Sequence, residues 1–260
     1  MHDFSDVDSA PRPLALVGIL DALHRLPSVA AYKAGALELL RVQPGQRVLE
    51  LGCGAGEDAA RMAERVGPYG LCVGADLSAT MVREARDRHA SLRLEFLRAE
   101  CRRLPFREGA FDACRIDRVL HTLDDPRLAL SEAVRVTRAG GRLVVSEPDW
   151  TTLTISPDED PLTRLIQGFC RMGPPVARVG GDLGALFETL PLAEMELHPF
   201  TGLVARLDQA RRLSALDEVL AVVEPGAAAA WLRQMEVADA EGRFSLTLAG
   251  VTAAATVTAP

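Results

Sequence analysis

The sequence predicts an α/β fold built on a doubly wound, mostly parallel sheet. Through roughly the first 150 residues, short apolar runs typical of buried strands alternate with longer segments of helical periodicity. A glycine-rich loop follows the first of these runs, and two alternating segments near the carboxyl end are separated by helical stretches. The chain has 260 residues, 48% of them hydrophobic, which is enough for a packed core without disulfides or metals.

Seven strands are predicted, each a short apolar or alternating run bounded by turn residues. They cover 47–51, 71–75, 92–97, 111–116, 142–146, 194–203 and 243–256. Helices are predicted at 14–26, 28–41, 57–66, 79–90, 125–136, 161–171, 182–190, 207–223 and 227–240. Ser28 and Ser78 are the expected caps of two helices. Residues 1–13 are expected to form a loose arm, because they are polar and carry two prolines.

Composition and charge exclude several classes of protein. The net charge of −7 argues against a nucleic-acid or anionic-membrane binder. The longest apolar runs fall far short of the roughly 20 residues that a membrane span needs. The acidic start of the chain lacks the apolar segment of a signal peptide. We therefore expect a cytoplasmic protein, a monomer or homodimer, with no nucleic-acid or membrane partner.

The cysteine and lysine contents are also informative. The five cysteines include no C-x-x-C pair, so reduced, buried thiols and no metal site are expected. Lys33 is the only lysine, beside 28 arginines, and asparagine is absent. This bias indicates a G+C-rich genome, so the arginine pairs need no functional explanation.

The glycine loop is the strongest functional signal. Gly52, Gly54 and Gly56 follow a strand at alternate positions, which lets the backbone pass close to a ligand and turn into a helix. The pattern also satisfies the dinucleotide fingerprint, with Ala59 in its last position. Asp76 lies 20 residues after Gly56, at a suitable distance for a ribose. The glycine pattern by itself leaves both kinds of nucleotide ligand open.

The charges around the loop favour a ligand without phosphate. Glu57 and Asp58 occupy the first turn of the following helix, and Glu50 precedes the first glycine by two residues. A pyrophosphate needs a positive helix N-terminus, which these carboxylates oppose. They suit a cationic ligand such as S-adenosylmethionine, with its sulfonium and ammonium groups.

Five ordered motifs extend this argument. The stretch 48–56 resembles the first motif of class I S-adenosylmethionine-dependent methyltransferases, in the small-molecule group of methyltransferase type 11 and the ubiquinone-biosynthesis enzymes. The later motifs lie at 76–81, 99–106, 109–121 and 137–141. Glu100 stands where the family usually has Asp, and Ala99 and Ala139 replace Gly and Pro. The histidine common in the family aligns with Thr122, one position after His121.

The resemblance implies the rest of the architecture. It predicts a Rossmann-like, seven-stranded sheet whose last strand is antiparallel, with a helical lid. Residues 1–45 would form the arm and lid helices, and 46–150 the cofactor-binding core. Residues 151–260 would supply acceptor-side helices and the strands that complete the same sheet.

The resemblance also implies site residues. Asp76 would accept from the ribose hydroxyls, Glu50 would lie near the methionine ammonium, and Glu100 would accept from the adenine amino group. The implied cofactor-binding set is Glu50, Gly52, Cys53, Gly54, Gly56, Asp76, Leu77, Met81, Glu100, Cys101, Asp117 and Tyr32. The expected acceptor pocket contains His121, Asp149 and Trp150.

The implied reaction is in-line methyl transfer to a small, partly apolar acceptor, in which positioning supplies most of the catalysis. His121 is the candidate general base for a hydroxyl acceptor. Two alternatives stay open: a protein of this fold that binds S-adenosylmethionine without transferring methyl, and an NAD-dependent oxidoreductase.

Overall fold

One eight-stranded sheet with helices on both faces forms the centre of the molecule. The computed structural model describes residues 4, 6–90, 93–172, 176–214 and 216–259. The strands are β1 (Arg47–Leu51), β2 (Leu71–Asp76), β3 (Leu94–Arg98), β4 (Phe111–Asp117), β5 (Thr137–Pro148), β6 (Thr154–Ser156), β7 (Leu192–Val204) and β8 (Ser245–Val257). Leu92, the predicted start of the third strand, lies outside the described residues.

Several of the helices begin at a proline, which fits the first turn because it has no amide hydrogen to leave unpaired. The helices are α1 (Pro13–His24), α2 (Pro27–Leu39), α3 (Glu57–Val66), α4 (Ala79–Arg88), α5 (Pro126–Val136), α6 (Pro161–Arg171), α7 (Val179–Glu188), α8 (Leu207–Leu213), α9 (Leu216–Leu220) and α10 (Pro225–Ala240). Among the described residues, no single helix is long and apolar enough to cross a bilayer. Helices α1 and α2 reach that length only as a pair, and they are bent by 82°.

The topology confirms the predicted fold class. Strands β3, β2, β1, β4 and β5 lie side by side in that order and are parallel. Strand β8 is antiparallel to β5, and β7 is antiparallel to β8 on its other side. Among the described strands, β8 alone therefore runs against the rest of the sheet.

The predicted number of seven strands is wrong by one. Strand β6 pairs with the first residues of β8, on the side where β5 pairs with the later ones. It thus continues the line of β5 after a short interruption. Three residues are too few to show an alternating pattern, so the sequence carried no signal for β6.

The predicted helix over 207–223 is two short helices. At Ser214 the backbone is extended, with φ −126° and ψ 173°, and this residue separates α8 from α9. The Ser214 hydroxyl donates to the Ala210 carbonyl at 2.7 Å. Local hydrogen bonding of this kind is how serine competes with a continuous helix.

Two expectations about the amino-terminal segment are also corrected. The described part of 1–13 is docked: Asp8 accepts from the Ser78 hydroxyl at 2.7 Å and from the Ala79 and Thr80 amides. Ser78 does cap α4, as predicted. Ser28 does not cap α2, because Pro27 occupies the first turn and the Ser28 hydroxyl bonds the Leu203 backbone instead.

Each face of the sheet has its own apolar core. Helices α5 and α7 cover one face, and α2, α3 and α4 cover the other. A further core joins the α1–α2 junction to α6, α8, α9 and α10. Trp231 of α10 is buried in it, and its indole N–H donates to Thr163 of α6 at 2.8 Å.

The sheet order reverses direction between β1 and β4. In open α/β sheets a crevice forms at the carboxyl ends of the strands at such a reversal, and ligands bind there. The glycine loop follows β1, Asp76 ends β2, and Asp117 ends β4. The fold therefore brings these chain segments to one edge.

Candidate functional site

A cavity of about 360 Å³ lies at this edge, within the roughly 300–1,000 Å³ typical of small-molecule sites. Its wall includes ten of the twelve predicted cofactor-binding residues, together with His121. Those ten are Glu50, Gly52, Cys53, Gly54, Asp76, Leu77, Met81, Glu100, Cys101 and Asp117. Gly56, Tyr32, Asp149 and Trp150 are not in the wall.

The three loop glycines meet different requirements. All have positive φ: 67° at Gly52, 53° at Gly54 and 90° at Gly56. A Cβ at Gly52 would lie 2.2 Å from a methyl carbon of Val119. This position therefore requires glycine both for its positive φ and for lack of space. A Cβ at Gly56 would lie 2.6 Å from the Phe96 ring of β3. Gly56 therefore serves packing between the loop and the sheet, away from the cavity.

Asp76 is held by the backbone around it. One carboxylate oxygen accepts from the Gly54 amide and the other from the Ser78 amide, each at 2.9 Å. Burial raises the pKa of Asp76, and these amide hydrogen bonds partly oppose the rise. Each oxygen can accept a further hydrogen bond, so the carboxylate can present both oxygens to a ligand diol.

The neighbouring wall residues differ in exposure. Glu100 pairs with the Arg102 guanidinium, and its side chain is partly exposed. Burial raises the pKa of the Cys101 thiol to about 11, so this thiol is protonated at neutral pH. Met81 is buried against Val7 of the amino-terminal segment, while Leu77 is exposed.

Five buried ionisable residues lie beside the cavity, and we call them the charge cluster. They are Lys33, Glu50, Asp58, Arg115 and Asp117. The Lys33 ammonium pairs with both Asp58 and Asp117. Arg115, which is fully buried, pairs with Glu50, with Asp58 at 3.2 Å and with Asp117 at 3.0 Å. Each carboxylate is thus bonded to at least one cation.

The charge cluster sets the protonation of its own carboxylates. Burial raises the pKa of Glu50 to about 8, although Arg115 opposes this. Burial acts the same way on Asp58 and Asp117, but Lys33 and Arg115 outweigh it and hold both pKa values below the usual range. With Glu50 protonated at neutral pH, two carboxylates balance two cations. Ionised Glu50 would give the cluster a net negative charge that suits a bound cation.

Tyr32 and Asp149 are among the predicted site residues that lie outside the cavity wall. The Tyr32 hydroxyl donates to Asp117 at 3.2 Å, and its ring stacks on Phe200 at 4.1 Å. Tyr32 therefore supports Asp117. Asp149 accepts from the amide and hydroxyl of Thr151 and caps the short helix Trp150–Thr152.

His121 lies in a helical turn directly after β4, and its ring is buried. Its Nδ1 is 2.8 Å from a carboxylate oxygen of Glu147, near the end of β5. The other Glu147 oxygen accepts the amides of Val119 and Leu120, each at 2.6 Å. The Trp150 ring lies 5.8 Å from the His121 ring.

Sequence reasoning missed Lys33, Arg115, Glu147 and His24. The last lies in the cavity wall, where burial and then Lys33 lower the pKa of its imidazole. Lys33 did carry a signal, as the single lysine of the chain within an apolar helix. Arg115 carried one too, since it interrupts a buried strand. The sequence gives no hint that Glu147 reaches His121, because 26 residues separate them.

Comparison with known proteins places the central segment in a family. Residues 49–145 match a family model described as a methyltransferase domain. Over 122 residues the chain is 39% identical to the demethylmenaquinone methyltransferase of Beutenbergia cavernae, covering 46% of this chain and 49% of that protein. Over 140 residues it is 44% identical to a 37.1 kDa protein in transposon TN4556 of Streptomyces fradiae, covering 54% and 41%. The matches thus span about half or less of these relatives.

Solved structures with the same fold cover more of the chain. Phosphoethanolamine N-methyltransferase 2 of Haemonchus contortus, in complex with S-adenosyl-L-methionine, is similar with a TM-score of 0.60 at 15% identity, covering 98% of this chain and 60% of that one. The [4+2]-cyclase SpnF is similar with a TM-score of 0.54 at 21% identity, covering 89% and 82%. At these identities the likeness shows the fold. Together with the family match, these findings confirm the resemblance: the segment 49–145 belongs to the class I S-adenosylmethionine-dependent methyltransferase family.

Proposed function

We propose that this chain is an S-adenosylmethionine-dependent methyltransferase that acts on a small, partly apolar metabolite. The observation that carries the proposal is the cavity at the β1–β4 reversal, whose wall gathers the glycine loop, Asp76 and part of the charge cluster. The family match of the same segment supports it. The acceptor is proposed to be a small molecule because the matched relatives include quinone-pathway methyltransferases by name.

The residues present fit this cofactor. Asp76 would accept from the ribose hydroxyls, and Glu100 and Cys101 lie in the same cavity wall. One oxygen of Glu50 is buried with no hydrogen-bond partner among the described residues, and the side chain lies in the wall. A buried acceptor of this kind suits the cofactor's ammonium group.

When bound, S-adenosylmethionine supplies a methyl group activated by its positive sulfur. The chain's own contribution is to hold and enclose the reactants. The loop glycines let the backbone approach closely, and α1 covers the glycine loop, with a Leu20 methyl about 3 Å from a Cβ built at Gly54. Helices α6, α8, α9 and α10 would exclude water from the acceptor side.

A second candidate is a protein that binds this cofactor and catalyses a different reaction. The fold likeness to SpnF, a [4+2]-cyclase, is the observation that favours it. The two are separated by incubating the protein with methyl-labelled S-adenosylmethionine and a panel of small aromatic acceptors. A methyltransferase produces S-adenosylhomocysteine and labelled acceptor together. Acceptor conversion without label transfer would establish the second candidate.

Calorimetry with S-adenosylhomocysteine, the product of methyl transfer, tests which cofactor binds, independently of whether a methyl group is transferred. We expect S-adenosylhomocysteine to bind with micromolar or better affinity and NAD to leave that binding unchanged. The carboxylates beside the loop are the reason, because they repel a pyrophosphate. Displacement of S-adenosylhomocysteine by micromolar NAD would contradict the proposal and revive the oxidoreductase alternative.

We also expect cofactor binding to release a proton from Glu50. A bound cation stabilises the ionised carboxylate, so the bound state holds fewer protons and affinity rises with pH until the pKa of about 8 is reached. Titrations near pH 6.5, in two buffers of different ionisation enthalpy, should show a release approaching one proton, because the ligand's amino group stays charged there.

Two variants test whether the released proton comes from Glu50. Glu50→Gln should bind without this release and without the rise in affinity. Glu57→Gln, which changes the same charge on a residue paired with Arg88 outside the cavity wall, should behave like the wild type. Equal proton release by the wild type and Glu50→Gln would show that another group is responsible.

A further inference from the structure

We infer that Glu147 is a positioning residue that holds His121 as a general base, and that the methyl acceptor carries a hydroxyl group whose proton His121 removes. This inference rests on the proposed function and assigns it an acceptor class. Its basis is the contact between the two side chains at the edge of the cavity, which joins β5 to the turn after β4.

Both carboxylate oxygens of Glu147 are engaged in hydrogen bonds. The side chain is completely buried, and one of its oxygens accepts two backbone amides at 2.6 Å. The other oxygen faces His121 Nδ1 at 2.8 Å. A carboxylate that accepts two amide hydrogens on one oxygen can accept the Nδ1 hydrogen of the ring on the other.

This arrangement fixes the tautomer of His121. With Nδ1 protonated and bonded to the carboxylate, Nε2 keeps its lone pair. No described residue donates to Nε2, and the His121 side chain lies in the cavity wall. The neutral ring therefore presents a proton acceptor to the cavity. When it takes a proton, the resulting imidazolium remains paired with the Glu147 carboxylate.

The step that follows is balanced in atoms and charge. The hydroxyl oxygen forms a bond to the methyl carbon, and the sulfur–methyl bond breaks with its electron pair going to sulfur. The hydroxyl proton passes to His121 Nε2 and later to solvent. The products are a methyl ether, a neutral thioether and one proton. An amine or a thiolate acceptor, being nucleophilic already, would not need this dyad.

The tautomer is measured without any acceptor. In the complex with S-adenosylhomocysteine, long-range proton–nitrogen correlation spectra should show His121 with Nδ1 protonated and Nε2 unprotonated, assigned by loss of the signals in His121→Gln. Glu147→Gln should invert the tautomer, because its amide NH₂ donates to Nδ1 and leaves the proton on Nε2. Glu159→Gln, an exposed residue with the same change of charge, should leave it unaltered.

Kinetics give the chemical consequence. Transfer to a hydroxyl member of the acceptor panel should fall roughly 10²–10⁴-fold in kcat for both His121→Ala and Glu147→Gln, with the affinity for S-adenosylhomocysteine unchanged. A wild-type ring protonated on Nε2, or transfer by Glu147→Gln within about threefold of wild type, overturns the inference. If the wild type does not bind S-adenosylhomocysteine at all, the proposed function itself fails, which is a separate result.

Discussion

Replacing Lys33 by methionine is expected to lower the free energy of unfolding by about 3–5 kcal/mol, the usual cost of removing one partner from a buried ion pair. The ammonium pairs with Asp58 and Asp117, and all three side chains are almost completely buried. Without Lys33, Arg115 is the one buried cation among the described residues that still pairs with these two carboxylates. Urea unfolding at neutral pH, followed by circular dichroism, measures the loss.

The same chain offers a matched control. Arg61 pairs with the same Asp58 carboxylate at 3.6 Å, but its side chain is about half exposed. Arg61→Met removes the same charge and is expected to cost only about 0–1 kcal/mol. A loss in Lys33→Met no larger than that in Arg61→Met would refute the importance of the buried pair.

The pH dependence of this loss has a definite sign. Lys33 and Arg115 hold the pKa values of Asp58 and Asp117 below their unfolded values, against the effect of burial. That contribution to stability is present above the unfolded pKa of about 3.9 and is lost as pH falls through the folded values. The difference between wild type and Lys33→Met should therefore be full at neutral pH and should shrink in acid.

Replacing Asp76 by alanine is expected to weaken S-adenosylhomocysteine binding by about 2–4 kcal/mol, because both ribose hydroxyls would lose a charged acceptor. This corresponds to roughly 30- to 1,000-fold in Kd by calorimetry. Asp76→Asn keeps one oxygen for an amide and should lie between alanine and the wild type.

Stability must be followed in the same variants, because Asp76 also accepts the amides of Gly54 and Ser78. Asp87→Ala, an exposed carboxylate on α4, is the matched control and should bind like the wild type. Unchanged affinity in a folded Asp76→Ala would remove Asp76 from the ribose contact.

The sequence predicted best those features that repeat along the chain. Strand and helix periodicity gave the α/β class, the family resemblance gave the antiparallel last strand, and the glycine loop gave the position of the cavity. Features that depend on distant side chains were not predictable. The contact of Glu147 with His121 and that of Lys33 with Asp117 join residues 26 and 84 positions apart. Only the folded sheet brings such pairs together.

Some misses had local causes instead. Strand β6 has only three residues, and Ser28 looked like a cap because serine often is one. Pro27 already fills the first turn of α2, and the Ser28 hydroxyl instead exchanges hydrogen bonds with Leu203 of β7. In each case a competing interaction decided the outcome, and short-range preferences could not reveal it.

The pairing of the antiparallel strand β8 leaves one part of the chain freer to change in evolution than the rest. It is paired along its length with β5 and β6 on one side and with β7 on the other, while α8, α9 and α10 are inserted between β7 and β8. The family match ends at residue 145, before this insertion. Because the inserted helices are anchored at both ends in paired strands, they can change in sequence or length while the order of the strands around the cavity stays the same.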